Sequence, residues 1–145
     1  MIVDTIEINR SPADVFAYLD QLDRHGEWQT SIEEVTTVSD GPTGVGTRAT
    51  EKRKVPGGVR EMTYEITEHD PPRHVAFRGL DGPVRPLGTV VIEPLEGGSR
   101  SRVRLEFEVR GHGFGKLIAP LVRLDAKRHI TADQRRLKER LESGA

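Results

Sequence analysis

Glu51 and Tyr64 are the residues of this chain whose types and positions best suit chemistry, and a hairpin puts them on one face. Two runs, Val45–Val55 and Val59–Glu68, flank Pro56-Gly57. With those two residues at the turn centre, Val55 faces Gly58 and the register is fixed along the whole pair. Lys52 then lies opposite Glu61 and Arg48 opposite Glu65, two opposite-charge pairs on one face. The other face sets Thr47, Ala49, Glu51 and Arg53 against Ile66, Tyr64, Met62 and Arg60. A packed core rarely tolerates that many polar heads. A sheet face that lines a cavity does, and a mainly apolar cavity with a few polar groups is a small-molecule site in outline. An inward Glu51 carboxylate can orient a ligand hydroxyl or act as a general base, or it can be held in an ion pair by Arg53 or Arg60. Tyr64 crosses to the small Ala49, so its ring belongs to the lining. Its hydroxyl meets either the ligand or a buried partner.

Other side chains offer less. Trp28 is the single tryptophan, at the junction between helical turns and sheet. It is either cavity wall or a packing anchor for the small helices. His25 reads as a surface residue. With His69, His74, His112 and His129 scattered and no cysteine in the chain, no spacing suggests a shared metal, and neither metal nor cofactor is expected. The lack of cysteine excludes disulfides and thiolate catalysis and suits a reducing cytoplasm. There is no Gly-x-Ser-x-Gly elbow, phosphate-binding glycine loop or dinucleotide fingerprint. The net charge of −1 recruits neither nucleic acid nor an anionic membrane. MIVDTIEINR has no signal-peptide core, and no apolar run approaches the roughly 20 residues of a membrane span. The expectation is a cytoplasmic protein with one domain over residues 1–145 and no nucleic-acid partner.

The elements that must position these residues follow from periodicity. Ile2, Ile6 and Ile8 mark a first strand. Ser11-Pro12 then caps a short helix with Val15, Phe16 and Leu19 on its buried stripe, and Asp23–Trp28 makes a second helical turn. Ile32–Val38 and the hairpin strands begin a meander. Asp70–Arg73 turns the chain into His74–Leu80, with Ile66 facing Phe77 inside. Gly97-Gly98 closes a last hairpin with Ile92 against Val103 and Val90 against Leu105 inside. Lys116–Glu142 reads as a helix roughly 40 Å long at 1.5 Å per residue. Leu117, Leu121 and Leu124 form its first apolar stripe, continued by Ala126, Ile130, Leu137 and Leu141. The stripe is expected to pack on the sheet. The basic residues of that helix read as a solvated outer face, with nucleic-acid or anionic-lipid contact as the functional alternative. Aromatic residues are only 5% of the chain, too few to fill large voids with rings.

Several stretches resemble the START-like, or SRPBCC, superfamily of polyketide cyclase/dehydrase and lipid-transport-like proteins. They are Ile6–Leu19 with its Ser-Pro junction, Trp28, Gly44–Thr47, Tyr64–Pro72, Phe77-Arg78 and the terminal helix. The resemblance implies the helix-grip fold: an α+β domain in which a curved antiparallel sheet wraps a long C-terminal helix, with two short helices after the first strand. It also implies an apolar cavity between sheet and helix. The expected lining is Trp28, Ala49, Glu51, Met62, Tyr64, Ile66, Phe77, Val90, Leu105 and Leu121. The leading functional reading is binding of a hydrophobic small molecule such as a lipid, polyketide or aromatic metabolite. The alternatives are cyclase/dehydrase chemistry in the same cavity, with Glu51 and Tyr64 as catalytic candidates beside an arginine, or a protein-interaction module.

Overall fold

A computed structural model describes residues 1–145. Seven strands and two α-helices are present: β1 (Ile2–Ile8), α1 (Pro12–Leu19), β2 (Ile32–Thr37), β3 (Arg48–Val55), β4 (Gly58–Asp70), β5 (His74–Gly79), β6 (Val84–Leu95), β7 (Arg100–Gly111) and α2 (Gly115–Glu142). A 3-10 turn over Leu22–Glu27 follows α1. All strands join one antiparallel sheet in the order β1-β7-β6-β5-β4-β3-β2. The meander from β2 to β7 follows from its short turns. β1 adds at the far edge, beside β7, and α1 leads the chain from there to β2 at the opposite edge.

Local chemistry accounts for the element ends. The Ser11 hydroxyl accepts a hydrogen bond from the Asp14 N–H at 3.3 Å, and Pro12 opens α1 with its φ already helical. The β3–β4 register is the expected one: Arg48 opposes Glu65, Lys52 opposes Glu61 and Ala49 opposes Tyr64. Arg48 Nε meets the Glu65 carboxylate at 3.0 Å. Lys52 departs in one detail: its ammonium lies 3.6 Å from Glu34 on β2, so its ion pair is with the other neighbouring strand. Ile92 and Val90 oppose Val103 and Leu105, as the alternation predicts, and Ile66 opposes Phe77 as expected, across a register shift between Ile66 and Glu68.

The helix differs from expectation. Its buried residues are Gly115, Ala119, Ile130, Asp133, Gln134, Leu137 and Leu141. Leu117, Leu121 and Leu124 point into solvent, at 81, 65 and 51% exposure. Only the second half of the expected stripe packs on the sheet. The reason lies at the helix start. A Cβ on Gly115 would overlap the Pro83 carbonyl, and Ala119, four residues on, is buried with Val84 and Val109. Close approach of the helix to the β5–β6 turn requires the smallest side chains underneath. That fixes the helical phase and turns the leucines outward.

The core falls into three clusters. The largest joins Ile8, α1, Trp28, Ile92 and Val103 to Leu137 and Leu141. A second holds Leu22, Ala49, Met62, Tyr64 and Ile66. The third sits under the start of α2. A polar clamp ties the end of α2 to the helical turns: the Glu27 carboxylate accepts from Tyr18 Oη at 2.8 Å, Arg24 Nε at 2.9 Å and Arg140 Nη2 at 3.0 Å. These donors, Arg24 foremost, pull the Glu27 carboxyl from its ordinary 4.5 down to about 2. A depressed folded-state pKa contributes stability that is present above pH 4.5 and lost as pH falls towards 2. Glu27→Gln is therefore expected to flatten the fall of stability with acid across that window in urea titrations. An unchanged slope would remove Glu27 from the clamp.

Candidate functional site

The inner face of the sheet is covered unevenly. α2 rests mainly on β1, β7 and β6, while the β3–β4 cluster of Ala49, Met62, Tyr64 and Ile66 is met by Leu22 of the 3-10 turn. Between the three clusters, Phe77, Val90, Leu105 and Phe107 face inwards yet keep accessible surface, as do Val122 and Ala126 on the side of α2 nearest the sheet. In a close-packed interior such residues would be fully enclosed.

Most of the expected lining residues come together, in two different settings. Ala49, Met62, Tyr64 and Ile66 are buried in one cluster, with Phe77 packed against it. Ala49 has no exposed surface. Val90 borders the largest cluster, and Trp28 lies within that cluster as a packing anchor, buried with Tyr18, Leu137 and Leu141. Leu105 faces the helix with part of its surface open. Leu121 is not part of the lining: it points to solvent on the outer side of α2. The residues of α2 that do face the sheet, Val122 and Ala126, are the ones a search for large apolar side chains passes over.

The polar heads on β3 and β4 sort themselves by partner. Glu51 is nearly buried and accepts from Arg53 Nε at 3.1 Å. Arg53 spends its other nitrogens on Ser31 Oγ at 2.8 Å and Gln29 Oε1 at 2.6 Å, so its fork locks the turn before β2 onto β3. Of the two arginines that could have neutralised Glu51, Arg53 is the one that does. Arg60, directly opposite Arg53, has no carboxylate partner. Its one polar contact is Nη2 to the Met62 sulfur at 3.2 Å, a weak acceptor. Burial, opposed by the nearby Glu51, lowers its pKa. Two residues along the same face from Met62, the Tyr64 hydroxyl is buried and finds no hydrogen-bond partner in the protein. Its pKa is pushed up, first by that burial and then by the Glu51 charge. β4 thus carries two donors with unmet capacity, Arg60 and Tyr64, four residues and about 13 Å apart along the strand.

His25 is not the surface residue expected of it. Its Nε2 lies 2.7 Å from the Leu19 carbonyl and its ring centroid is 5.5 Å from that of Trp28. A carbonyl accepts only, so Nε2 carries the proton and Nδ1 is left with a lone pair. Burial lowers the His25 pKa, which favours that neutral form. No group of three or more His, Asp or Glu side chains gathers in a metal-binding arrangement. An open cleft of about 730 Å³ lies between the 3-10 turn and β2, with Asp20, Asp23, Thr36, Thr37 and Thr43 among its lining. Leu22 lines it and also belongs to the Ala49–Tyr64 cluster, so this side chain is the wall between cleft and interior.

A curved antiparallel sheet gripping a C-terminal helix, with two short helical segments after the first strand, defines the helix-grip class. The chain belongs to the family described as polyketide cyclase/dehydrase and lipid transport, whose model matches residues 2–142. Among curated proteins, the uncharacterized protein Rv1546 of Mycobacterium tuberculosis is 30% identical over 108 residues, 74% of this chain and 75% of that one. Among solved structures, the Zhui aromatase/cyclase from Streptomyces sp. R1128 superposes with a TM-score of 0.81 over 97% of this chain and 92% of that one, at 18% identity. A START superfamily protein from Mycobacterium smegmatis gives 0.73 over 99 and 98%, at 14% identity. At these identities the structural likeness establishes the fold. No helix is long and apolar enough to cross a membrane.

Proposed function

We propose that residues 1–145 act as one domain that binds a hydrophobic small molecule carrying an oxygen acceptor, between α2 and the inner face of β4–β7. The observation that carries this reading is the presence of two donors with unmet capacity, Arg60 and Tyr64, on the inward face of β4, beside apolar residues that are only partly buried. An apolar body would cover Phe77, Val90, Leu105 and Phe107. A carbonyl, phenolate or carboxylate would be met by the Arg60 guanidinium or by the Tyr64 hydroxyl. Family membership supports the same class of ligand. A cytoplasmic location fits the cysteine-free composition.

Native mass spectrometry of the purified protein tests the binding directly through co-purified ligand. Tyr64→Phe separates a ligand-facing hydroxyl from a structural one. Removing a buried donor that has no partner should raise the stability of the empty protein by about 1 kcal/mol. The same change should weaken binding of an oxygen-bearing ligand about tenfold. A variant that loses stability while keeping full affinity would show that the hydroxyl has a structural partner.

A second reading, cyclisation or dehydration of a polyketide-like substrate in the same space, is favoured by one observation. Arg60 is a half-buried cation with no direct ion pair, Glu51 and Asp81 acting on it only from a distance, and it could stabilise developing enolate charge, with Tyr64 as a proton donor on the same strand. Glu51 is engaged by Arg53 and is poorly suited to act as the base. Loss of product on Arg60→Met, with binding retained, would support this reading over simple binding.

A further inference from the structure

We propose that the first turns of α2 dock the protein onto an anionic lipid surface. Phe114, Leu117, Leu121 and Leu124 recur at spacings of three and four residues, which places them on one side of the helix. That side is opposite Ala119, Val122 and Ala126, the residues that face the sheet. Phe114 is 71% exposed, and the three leucines are exposed as given above. Four large apolar side chains in a row on a surface otherwise rich in charge mark a contact site.

The flanking charges choose the occupant. Lys116, Lys127 and Arg128 are all exposed and none takes part in an ion pair within the protein. By helical phase Arg128 continues the line of Leu117, Leu121 and Leu124, and Lys116 and Lys127 lie together along one border. Arg123, also basic, is held by Glu108 at 2.8 Å. The only acid between residues 114 and 128 is Asp125, which sits 3.4 Å from His129. The chain as a whole carries −1, so this positive charge is local. Two copies laid stripe against stripe would bring these cations together with no acid to meet them, at a cost to the dimer. An apolar face bordered by free lysine and arginine instead matches a bilayer with anionic headgroups, which accepts leucine and phenylalanine at the acyl boundary and cations above it. The surface stands independently of the ligand site, since none of its residues faces the sheet.

Flotation with phosphatidylcholine vesicles containing phosphatidylglycerol, and with phosphatidylcholine alone, tests the proposal on the full chain. The protein should float with the anionic vesicles, bind the neutral ones far less, and be released as salt is raised. Leu117→Glu with Leu121→Glu should weaken vesicle binding by about tenfold or more while leaving the melting temperature unchanged, because both side chains are already in solvent. Lys127→Glu with Arg128→Glu should cost about fivefold for each cation removed on anionic vesicles only. Two results would overturn the proposal. One is a protein that ignores anionic vesicles at low salt. The other is a wild-type dimer that the leucine pair converts to monomer without any vesicle binding, which would show that a second copy covers this face.

Discussion

Ala126→Trp is expected to abolish uptake of fatty acids or hydrophobic dyes while leaving the protein folded. Ala126 lies on the sheet-facing side of α2, between buried Ala119 and buried Ile130, and keeps accessible surface there. An indole at that position would project towards the sheet face that carries the partly buried Val90, Leu105 and Phe107. If there is space between helix and sheet, the larger side chain fills it and displaces the ligand at little cost in stability. If the interior is closed, the same substitution overpacks it and costs about 1–3 kcal/mol. Leu105→Trp, entering from the opposite wall, should repeat the result. Calorimetric titration and thermal melting together decide: a parent that binds nothing, with a variant destabilised by that amount, sinks the cavity. Ala49 is unsuitable for this test, since it has no exposed surface and sits among Met62, Tyr64 and Ile66.

Leu137→Ala and Leu117→Ala should differ sharply, although both replace a leucine on one helix. Leu137 is 1% exposed and packs in the cluster with Ile8, Trp28, Ile92 and Val103. Its truncation removes buried methyl groups and leaves a cavity, for a loss of about 2–5 kcal/mol. Leu117 makes no such contacts, and its truncation should change stability by about 0.5 kcal/mol or less. Chemical denaturation of the two variants measures the phase of α2 directly. Equal losses would mean that the helix is rotated and that the first stripe is part of the core.

Strand alternation and turn chemistry carried most of the fold. Pro56-Gly57 and Gly97-Gly98 each pin a hairpin, and a period of two then assigns side chains to faces, so the pairs Ala49–Tyr64 and Val90–Leu105 could be written from order alone, whereas Ile66 meets Phe77 only through a register shift between Ile66 and Glu68. Ser11-Pro12 set the start of α1 in the same local way. Helical phase is a weaker constraint. Two overlapping apolar stripes fit the sequence of α2, and periodicity favours the one with larger side chains. Which stripe faces inwards depends on how closely the helix start approaches Pro83, a contact between residues 32 positions apart that only Gly115 permits.

Partner choice at the site was undetermined for the same kind of reason. The register places Glu51, Arg53, Arg60 and Tyr64 on one face, and from that point either arginine can neutralise Glu51. The outcome turned on Gln29 and Ser31, which lie outside both strands and hold the Arg53 fork in position beside Glu51. Arg60 is left without a direct ion pair as a consequence. His25 likewise has no sequence signal beyond its type: its burial and its protonated nitrogen are set by the Leu19 carbonyl at the end of α1. What the sequence determined by itself is what short-range geometry enforces: strand register, faces, turns and caps. What the tertiary structure decided is which donors keep a partner and which helix face meets the sheet, because both depend on distances between segments that no local period encodes.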